Sequence, residues 1–143
     1  MTDRAKPIRE KALCYIVRDG RLLVFRHVDV PLEEAGVQVP AGGIEAGETP
    51  EEGALREARE ETGPTELSIV RKLGVTDYDV TPYRWEIQRL HVFHLALHQE
   101  TPERWASEER GGGAAIRLEC FWIPLEQGHV LAGGQGALLS RLF

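Results

Sequence analysis

The 143-residue sequence predicts an α+β fold in which helices pack on a β-sheet. Apolar segments rich in strand-forming residues occupy both halves of the chain, and one strongly helical segment lies between them. Strands followed by a helix and then by more strands are typical of a helix-on-sheet sandwich. Because the sequence contains no internal repeat and no long linker, we expect one domain over residues 1–143.

The first half of the chain is predicted to begin with a β-hairpin. Residues 11–17 and 22–28 are apolar runs rich in strand formers, and Asp19-Gly20 between them is a strong hairpin-turn signal. The three segments that follow are predicted to be a loop, a short strand and a glycine-rich loop, over residues 29–36, 37–40 and 41–49, respectively.

A helix is predicted over about residues 50–62. Thr49 is a suitable N-cap, a proline stands at the first helical position, and Glu52 completes a capping box with Thr49. The dipeptide Gly63-Pro64 cannot continue a helix and predicts a sharp end. Both ends of this helix are therefore marked in the sequence.

The second half is predicted to be mostly strand. β-Branched and aromatic residues are concentrated in residues 67–75, 83–97 and 116–123. Three consecutive glycines, residues 111–113, predict a flexible connection before the last of these strands. Residues 135–143 can form a short C-terminal helix.

Composition restricts the classes of function. The formal net charge is -6, and an acidic surface gives no electrostatic help toward nucleic acid, apart from a single RNA 5′ end that needs few contacts. No apolar run approaches the roughly 20 residues that cross a bilayer, and no signal-peptide pattern is present. We therefore expect a cytoplasmic protein with no membrane partner. Cys14 and Cys120 lie in apolar segments and are expected to be buried free thiols.

Three glutamates of the predicted helix share one face. At 100° per residue, Glu57, Glu60 and Glu61 fall within an arc of about 100°. A bound Mg²⁺ or Mn²⁺ would remove their mutual repulsion, because hard cations take oxygen ligands. A solvated, Glu-rich face is the alternative. Gly53 on the same face leaves room beside the backbone, and the glycine-rich segment before the helix suits phosphate, so both features favour a metal and phosphate site.

One segment resembles the Nudix box. That signature is a Gly, a Glu six positions later, and then Arg-Glu-apolar-any-Glu-Glu-any-Gly before a final apolar residue. Gly42 and Glu48 stand at this spacing, and residues 56–63 read Arg-Glu-Ala-Arg-Glu-Glu-Thr-Gly. Ala58 is small for the apolar position and Pro64 replaces the final aliphatic residue, but neither departure removes a ligand. The resemblance implies a Nudix-type α/β/α sandwich with a mixed β-sheet.

The resemblance also implies a metal site. Glu57, Glu60 and Glu61 correspond to the metal ligands of the family, and Mg²⁺ or Mn²⁺ is the implied cofactor. A backbone carbonyl at the start of the glycine segment is a further implied ligand, with Ala41 as the first choice and Gly42 as the second.

The implied reaction is hydrolysis of a phosphoanhydride bond in a nucleoside diphosphate linked to another group. Divalent cations neutralise the pyrophosphate, water attacks one phosphorus in line, and a carboxylate accepts the proton. Candidates for this catalytic base are Glu60, Glu61 and, in residues 100–109, Glu108 and Glu109. We expect the last two in a loop that can close over the site.

Other residues are candidates for positioning and substrate binding. Arg56 corresponds to the catalytic-site residue that holds a box carboxylate by an ion pair. Glu48, a candidate for substrate binding, is implied either to shape the loop or to reach the metal through water. Arg26 ends the second predicted strand, while Tyr83 and Trp85 could stack on a base. An ordinary packing or surface role is the alternative for each of the last three.

The sequence leaves the substrate open beyond a small-molecule nucleotide. A catalytically silent nucleotide sensor with the same fold is one alternative, although such proteins usually lose box carboxylates that are all retained here. An RNA 5′-end pyrophosphohydrolase is another. An isomerase of isoprenoid diphosphates would need a catalytic cysteine, which the two cysteines in apolar strands do not suit. Family members are often dimers, so a homodimer is the corresponding expectation for assembly.

Overall fold

A computed structural model describes residues 4–109 and 114–143 of the chain. Within these residues, seven strands form one sheet. The strands are β1 (Ile8–Arg18), β2 (Arg21–His27), β3 (Ala41–Gly43), β4 (Leu67–Asp79), β5 (Ile87–Leu97), β6 (Arg104–Glu109) and β7 (Ile116–Pro124). The helices are α1 (Leu32–Ala35), α2 (Pro50–Thr62) and two 3₁₀ helices, Leu125–Val130 and Leu139–Leu142.

The sheet is mixed and has β1 near its centre. The strand order is β4-β5-β1-β2-β7-β6, and β3 pairs with β1 outside this path. The β1–β5 pair is parallel and the other pairs are antiparallel. β2 pairs with the end of β1 at Val17, whereas β3 pairs further back, with Gly43 opposite Lys11 and Ala41 opposite Leu13. The glycine segment is thus held within the sheet and beside its central strand.

Alternation along β1 builds a core on each side of the sheet. Cys14 belongs to the core that packs against Ala54 and Ala58 of α2. Tyr15 belongs to the opposite core, which residues of the C-terminal 3₁₀ segment cover, among them Leu139. This layering confirms the predicted sandwich with a mixed sheet, and 3₁₀ helices form its second helical layer.

Helix α2 begins and ends where the sequence predicts. The Thr49 hydroxyl accepts a hydrogen bond from the Glu52 N–H at 3.1 Å, and the Glu52 carboxylate accepts one from the Thr49 N–H at 2.8 Å. The predicted hairpin turn is confirmed by positive φ angles of 52° at Asp19 and 73° at Gly20. Cys14 and Cys120 are buried free thiols, as expected.

The segments around the glycines differ from the prediction. The predicted loop of residues 29–36 contains the short helix α1, which starts after Pro31. The predicted strand of residues 37–40 makes only isolated bridges, because Pro40 has no N–H to donate to a ladder. The glycine-rich loop instead begins as strand β3.

Differences also occur in the second half. The strand predicted to start at Tyr83 starts at Ile87, because Tyr83 donates its N–H to the Val80 carbonyl in a turn. The predicted loop of residues 100–109 contains β6, an edge strand in which exposed residues alternate with half-buried ones. The predicted C-terminal helix is a short 3₁₀ helix. The predicted glycine connection, residues 111–113, lies outside the described residues. In the part of the chain that is described, no helix combines the length and apolarity needed to cross a bilayer.

Candidate active site

Strand β3 and helix α2 meet at Gly42 and Glu57. A Cβ atom built on Gly42 would lie 2.2 Å from the Cδ atom and from one oxygen of the Glu57 carboxylate. A side chain at position 42 would therefore occupy the space of that carboxylate. At the adjacent Gly43, a Cβ atom would meet nothing within 4 Å. The Glu57 carboxylate thus packs directly on the β3 backbone at one glycine and not at the next.

Glu61 lies beside Glu57 and is only 4% exposed. Its carboxylate accepts a hydrogen bond from the Ala41 N–H at 3.1 Å, and its carboxyl group also hydrogen-bonds to Glu57. Burial, followed by the hydrogen bond and charge of Glu57, raises the pKa of Glu61 to about 10. Two carboxyl groups this close together, one of them buried, form a site suited to a cation.

Arg56 ties the helix to the glycine segment. Its guanidinium donates to the Gly43 carbonyl at 2.8 Å and to both oxygens of Glu48 at 2.7 and 2.9 Å. It also donates to Glu57 at 2.8 Å and to Glu60 at 3.3 Å. The hydrogen bonds from Arg56 are the main reason that the pKa of Glu48 falls to about 2. Arg56 therefore gathers three box carboxylates next to β3.

The chemistry of this donor set fits a hard divalent cation. Glu57 and Glu61 offer carboxylate oxygens from adjacent turns of one helix, which are the ligands that Mg²⁺ and Mn²⁺ prefer. Among the described residues, no three His, Cys, Asp or Glu side chains stand together as a preassembled metal site. Glu60 is mostly exposed and, like Glu57, is held by Arg56. A cation bound here would take the place of the proton that the raised pKa of Glu61 favours.

Strand β6 places another carboxylate beside α2. Trp105 donates its indole N–H to the Thr62 carbonyl at 2.6 Å, and the Ser107 hydroxyl donates to the Glu61 carbonyl at 2.7 Å. Both carbonyls lie at the C-terminal end of α2, where helical partners are lacking. Because side chains alternate along a strand, Glu109 faces α2 together with Trp105 and Ser107. Its charge contributes to the raised pKa of Glu61.

Glu108 has the opposite orientation. It stands opposite Arg117 in the β6–β7 ladder and, with Glu119, lines a cavity of about 610 Å³. Arg117 in that cavity is paired with Asp29. The expectation that Glu108 and Glu109 share a loop is therefore wrong, since regular pairing with β7 makes them neighbours on an edge strand that point to opposite faces.

A smaller cavity opens beside Ala41. It has a volume of about 270 Å³ and includes Leu13 and Leu90 from the core on the face opposite α2. Its polar lining comes from five side chains: Lys11, Gln38, Tyr78, Gln88 and Gln135. Ala41, which lines this cavity, donates its N–H to the Glu61 carboxylate, whereas Ser107, which lines the larger cavity, donates to the backbone carbonyl of Glu61. We regard the smaller cavity as the better candidate for substrate.

Lys11 is a cavity residue that the sequence argument missed. Burial is the largest influence on its pKa and lowers it, while Glu86 and, more weakly, Glu57 act in the opposite direction. Within the described part of the chain, Lys11 makes no ion pair. A half-buried cation that lines the cavity and is influenced by the charge of Glu57 is suited to a phosphate. The feature of the sequence that could have identified Lys11 is its position at the start of an otherwise apolar run.

Three predicted substrate residues lie elsewhere. Arg26 is paired with Glu119 at 2.9 Å, beside the larger cavity. Tyr83 is 88% exposed, and Trp85 is half exposed with the Lys6 ammonium 4.7 Å from its ring centroid. None of the three is among the described residues that line the cavity beside Ala41. The structure brings together Ala41, Gly42 and the box carboxylates, but not these three.

The fold and the site define a sandwich protein whose central helix presents Nudix-box carboxylates to a glycine-bearing strand. A family model described as NUDIX domain matches residues 7–141. The chain belongs to the NUDIX family, which confirms the resemblance of its glycine and glutamate signature.

Comparisons with individual proteins agree with this assignment. The chain is 36% identical over 83 residues to an ADP-ribose pyrophosphatase of Bacillus subtilis (strain 168), a match covering 57% of this chain and 42% of that protein. It is 45% identical over 100 residues to an RNA pyrophosphohydrolase of Brucella ovis, covering 62% of this chain and 54% of that protein. The chain thus spans about half the length of these relatives or less.

A solved structure shows the same fold. The crystal structure of a MutT NUDIX hydrolase from Burkholderia pseudomallei superimposes with a TM-score of 0.68 at 23% identity. The match covers 96% of this chain and 100% of that one. It supports the sandwich and its mixed sheet.

Proposed function

We propose that the protein hydrolyses a phosphoanhydride bond in a nucleoside diphosphate linked to another group, with Mg²⁺ or Mn²⁺ as cofactor. One observation carries the proposal: the Glu57 carboxylate packs into the space left by Gly42, beside the carboxyl group of the buried Glu61. Such a pair needs a cation to be fully ionised, and a cation at a glycine segment can recruit pyrophosphate. Relatives named as pyrophosphatase and pyrophosphohydrolase support this class of bond.

Glu57 and Glu61 would hold the cation, with Glu60 and the Ala41 carbonyl as further ligands and Gly42 as the alternative carbonyl. NUDIX proteins generally use divalent metal ions. When bound, the cation offsets the charge of the pyrophosphate and makes water more acidic.

The remaining roles belong to side chains of this chain. Arg56 keeps Glu57 against β3 and is itself anchored by Glu48. Water attacks one phosphorus, the bond between that phosphorus and the bridging oxygen breaks, and a carboxylate takes the proton of the water. Glu109 is the base that we favour, because it faces α2 from β6, and Glu60 is the second candidate.

The nucleoside part of the substrate is proposed to occupy the cavity beside Ala41. Leu13 and Leu90 supply an apolar wall, and amide side chains supply hydrogen bonds. Lys11 is proposed to contact the pyrophosphate at the mouth of this cavity. Tyr83 and Trp85, on the exposed turn between β4 and β5, would contact parts of the substrate that extend beyond it.

A substrate panel tests the proposal. ADP-ribose, nucleotide sugars, dinucleoside polyphosphates and nucleoside triphosphates, including oxidised ones, are incubated with Mg²⁺ or Mn²⁺, and the products are separated. At least one is expected to be cleaved at a phosphoanhydride bond. Glu57→Gln is expected to lower turnover by at least about 100-fold, since removing one group that acts on developing charge costs that much. Glu51→Gln, an exposed change in the first turn of the same helix, is the matched control.

Tight nucleotide binding without turnover of any member of the panel would instead indicate a sensor of the same fold. Near-normal turnover by the Glu57→Gln protein would contradict the metal site.

A second candidate function is removal of pyrophosphate from an RNA 5′ end. The observation that favours it is the 45% identity to a protein named RNA pyrophosphohydrolase. The net charge of -6 disfavours extensive backbone contacts. A 5′-triphosphorylated oligonucleotide in the panel distinguishes the two candidates, because only this function predicts faster cleavage of the oligonucleotide than of the free nucleoside triphosphate.

A further inference from the structure

Three glutamine side chains line the cavity beside Ala41, and each has one end of its amide group fixed by the protein. The Gln38 NH₂ group donates to the Ala35 carbonyl at 3.2 Å. The Gln88 NH₂ group donates to the Glu86 carboxylate at 3.1 Å. The partners determine these orientations, because a backbone carbonyl and an ionised carboxylate can only accept.

The third glutamine is held the other way round. The Gln135 side-chain carbonyl accepts the Val39 N–H at 2.8 Å, and a backbone N–H can only donate. The amide groups therefore leave two different ends for a ligand. Gln38 and Gln88 offer carbonyl oxygens, which accept, and Gln135 offers an NH₂ group, which donates. Within the described residues, these three free ends have no hydrogen-bond partner.

This pattern selects among the bases. The complement of two acceptors and one donor is an edge with two donors and one acceptor. Guanine has such an edge: a ring N–H and an amino group beside a carbonyl oxygen. Adenine has one amino group beside ring nitrogens that only accept, and uracil has a single ring N–H between two carbonyls. Either base would set an acceptor against a glutamine oxygen, which leaves buried polar groups unpaired.

We propose that this cavity is specific for a guanine base, read by the carbonyls of Gln38 and Gln88 and by the amide NH₂ of Gln135. The inference rests on the proposed function for the presence of a nucleotide, and it adds the identity of the base.

Glu86 is the positioning residue in this arrangement. It is 7% exposed, and its carboxylate oxygens lie 3.6 Å from Arg9 Nε and 3.8 Å from Arg84 Nη1. As a carboxylate it can only accept, so Gln88 must turn its NH₂ group toward Glu86 and its carbonyl toward the cavity. A glutamine at position 86 could donate instead. Glu86→Gln would therefore free the Gln88 amide to present either end.

Binding of nucleoside diphosphates tests the inference without requiring turnover, because every substrate of the proposed class contains one. Affinities of the whole protein for GDP, IDP and ADP are measured by calorimetry in Mg²⁺. We expect GDP to bind about 10-fold more tightly than IDP, which lacks the 2-amino group, since one hydrogen bond is worth about that factor. The preference for GDP over ADP is expected to be about 100-fold.

The Glu86→Gln protein is expected to retain GDP binding, but the ratio of its affinities for GDP and ADP is expected to fall by about 10-fold. If Glu86 had a purely structural role, Glu86→Gln would weaken the binding of GDP and ADP equally. Gln88→Leu, which removes one acceptor for guanine, should lower the GDP-to-ADP affinity ratio by about 10-fold. The control is Glu103→Gln, the same change at an exposed pair with Arg21, and it should leave the ratio unchanged.

Equal affinity of the unaltered protein for GDP and ADP, or an unchanged ratio in both the Glu86→Gln and Gln88→Leu proteins, would overturn the inference. Cleavage of the panel without base preference overturns the inference alone. Base preference without cleavage overturns the proposed hydrolysis alone.

Discussion

Adding one methyl group at Gly42 should disable the site without unfolding the protein. The Cβ atom of Gly42→Ala would lie 2.2 Å from the Glu57 carboxylate, whereas ordinary contact begins at about 3.4 Å. The carboxylate must therefore retreat by about 1 Å, and a misplacement of that size near reacting groups can cost about 100-fold in rate. The atoms displaced belong to the end of a flexible side chain, so the free energy of unfolding should change by no more than about 1 kcal/mol.

The neighbouring glycine supplies a matched control. A Cβ atom on Gly43 would meet nothing within 4 Å, and Gly43 does not have a positive φ angle. Gly43→Ala should keep full turnover and gain up to about 1 kcal/mol of stability, because alanine restricts the unfolded chain. The assays are kcat and KM on the best substrate of the panel, Mn²⁺ affinity by calorimetry, and urea unfolding in a chelator.

Two results would refute the reasoning. If the Gly42→Ala protein keeps both Mn²⁺ affinity and kcat, the contact between the Gly42 backbone and Glu57 does not position a ligand. If Gly43→Ala is as damaging as Gly42→Ala, the segment needs flexibility at both positions rather than space at one.

Three further predictions follow from the same contacts. The raised pKa of Glu61 means that the folded state keeps a proton that the unfolded chain releases above its ordinary pKa, so stability without metal falls as pH rises through the neutral range. Glu61→Gln should remove this dependence of stability on pH and, in chelator at pH 7, should stabilise the protein by up to about 3 kcal/mol. The same change should abolish stabilisation by Mn²⁺. An unchanged dependence on pH, measured by urea unfolding from pH 5 to 8, would contradict this. Glu109→Gln should lower kcat by about 100-fold and leave KM unchanged, whereas Glu108→Gln on the opposite face should change kcat less than 3-fold; equal losses would remove Glu109 as the base. Lys11→Met should raise KM about 10-fold with little effect on kcat, and the exposed Lys72→Met is its control; a fall in kcat alone would assign Lys11 to the chemical step.

Local signals account for the part of the site that the sequence predicted. The ends of α2 follow from a capping box and a Gly-Pro stop, which act over a few residues and do not depend on the rest of the fold. Once the helix limits are known, the face shared by Glu57, Glu60 and Glu61 follows from helical geometry. The sequence does not show that these glutamates differ. Glu61 is buried and Glu60 is mostly exposed, because the sheet covers one edge of that face and not the other.

The parts that the sequence did not predict depend on pairing between distant segments. The sequence of β6 carries charges and follows a proline, so it resembles that of a loop. It forms a strand because it pairs with β7. Its alternation of Trp105 and Ser107 with exposed residues was the one available signal. The cavity beside Ala41 is similarly non-local, because its lining comes from several strands and from the turn that contains Gln135. No short motif can encode such a set.

The buried pair of Glu57 and Glu61 is hard to explain as a feature of folding alone. A buried carboxyl group that must keep a proton at neutral pH makes the metal-free fold less stable. Gln would keep the hydrogen bond from the Ala41 N–H without that penalty. Arg56 does not remove the penalty either, because its carboxylate partners among the described residues are Glu45, Glu48, Glu57 and Glu60 and not Glu61. A ligand that binds only when Glu61 is ionised recovers the lost stability on binding, and a divalent cation has the required charge. The retention of Glu61 in a site where an amide would fold better therefore supports a role in binding metal rather than in holding the helix.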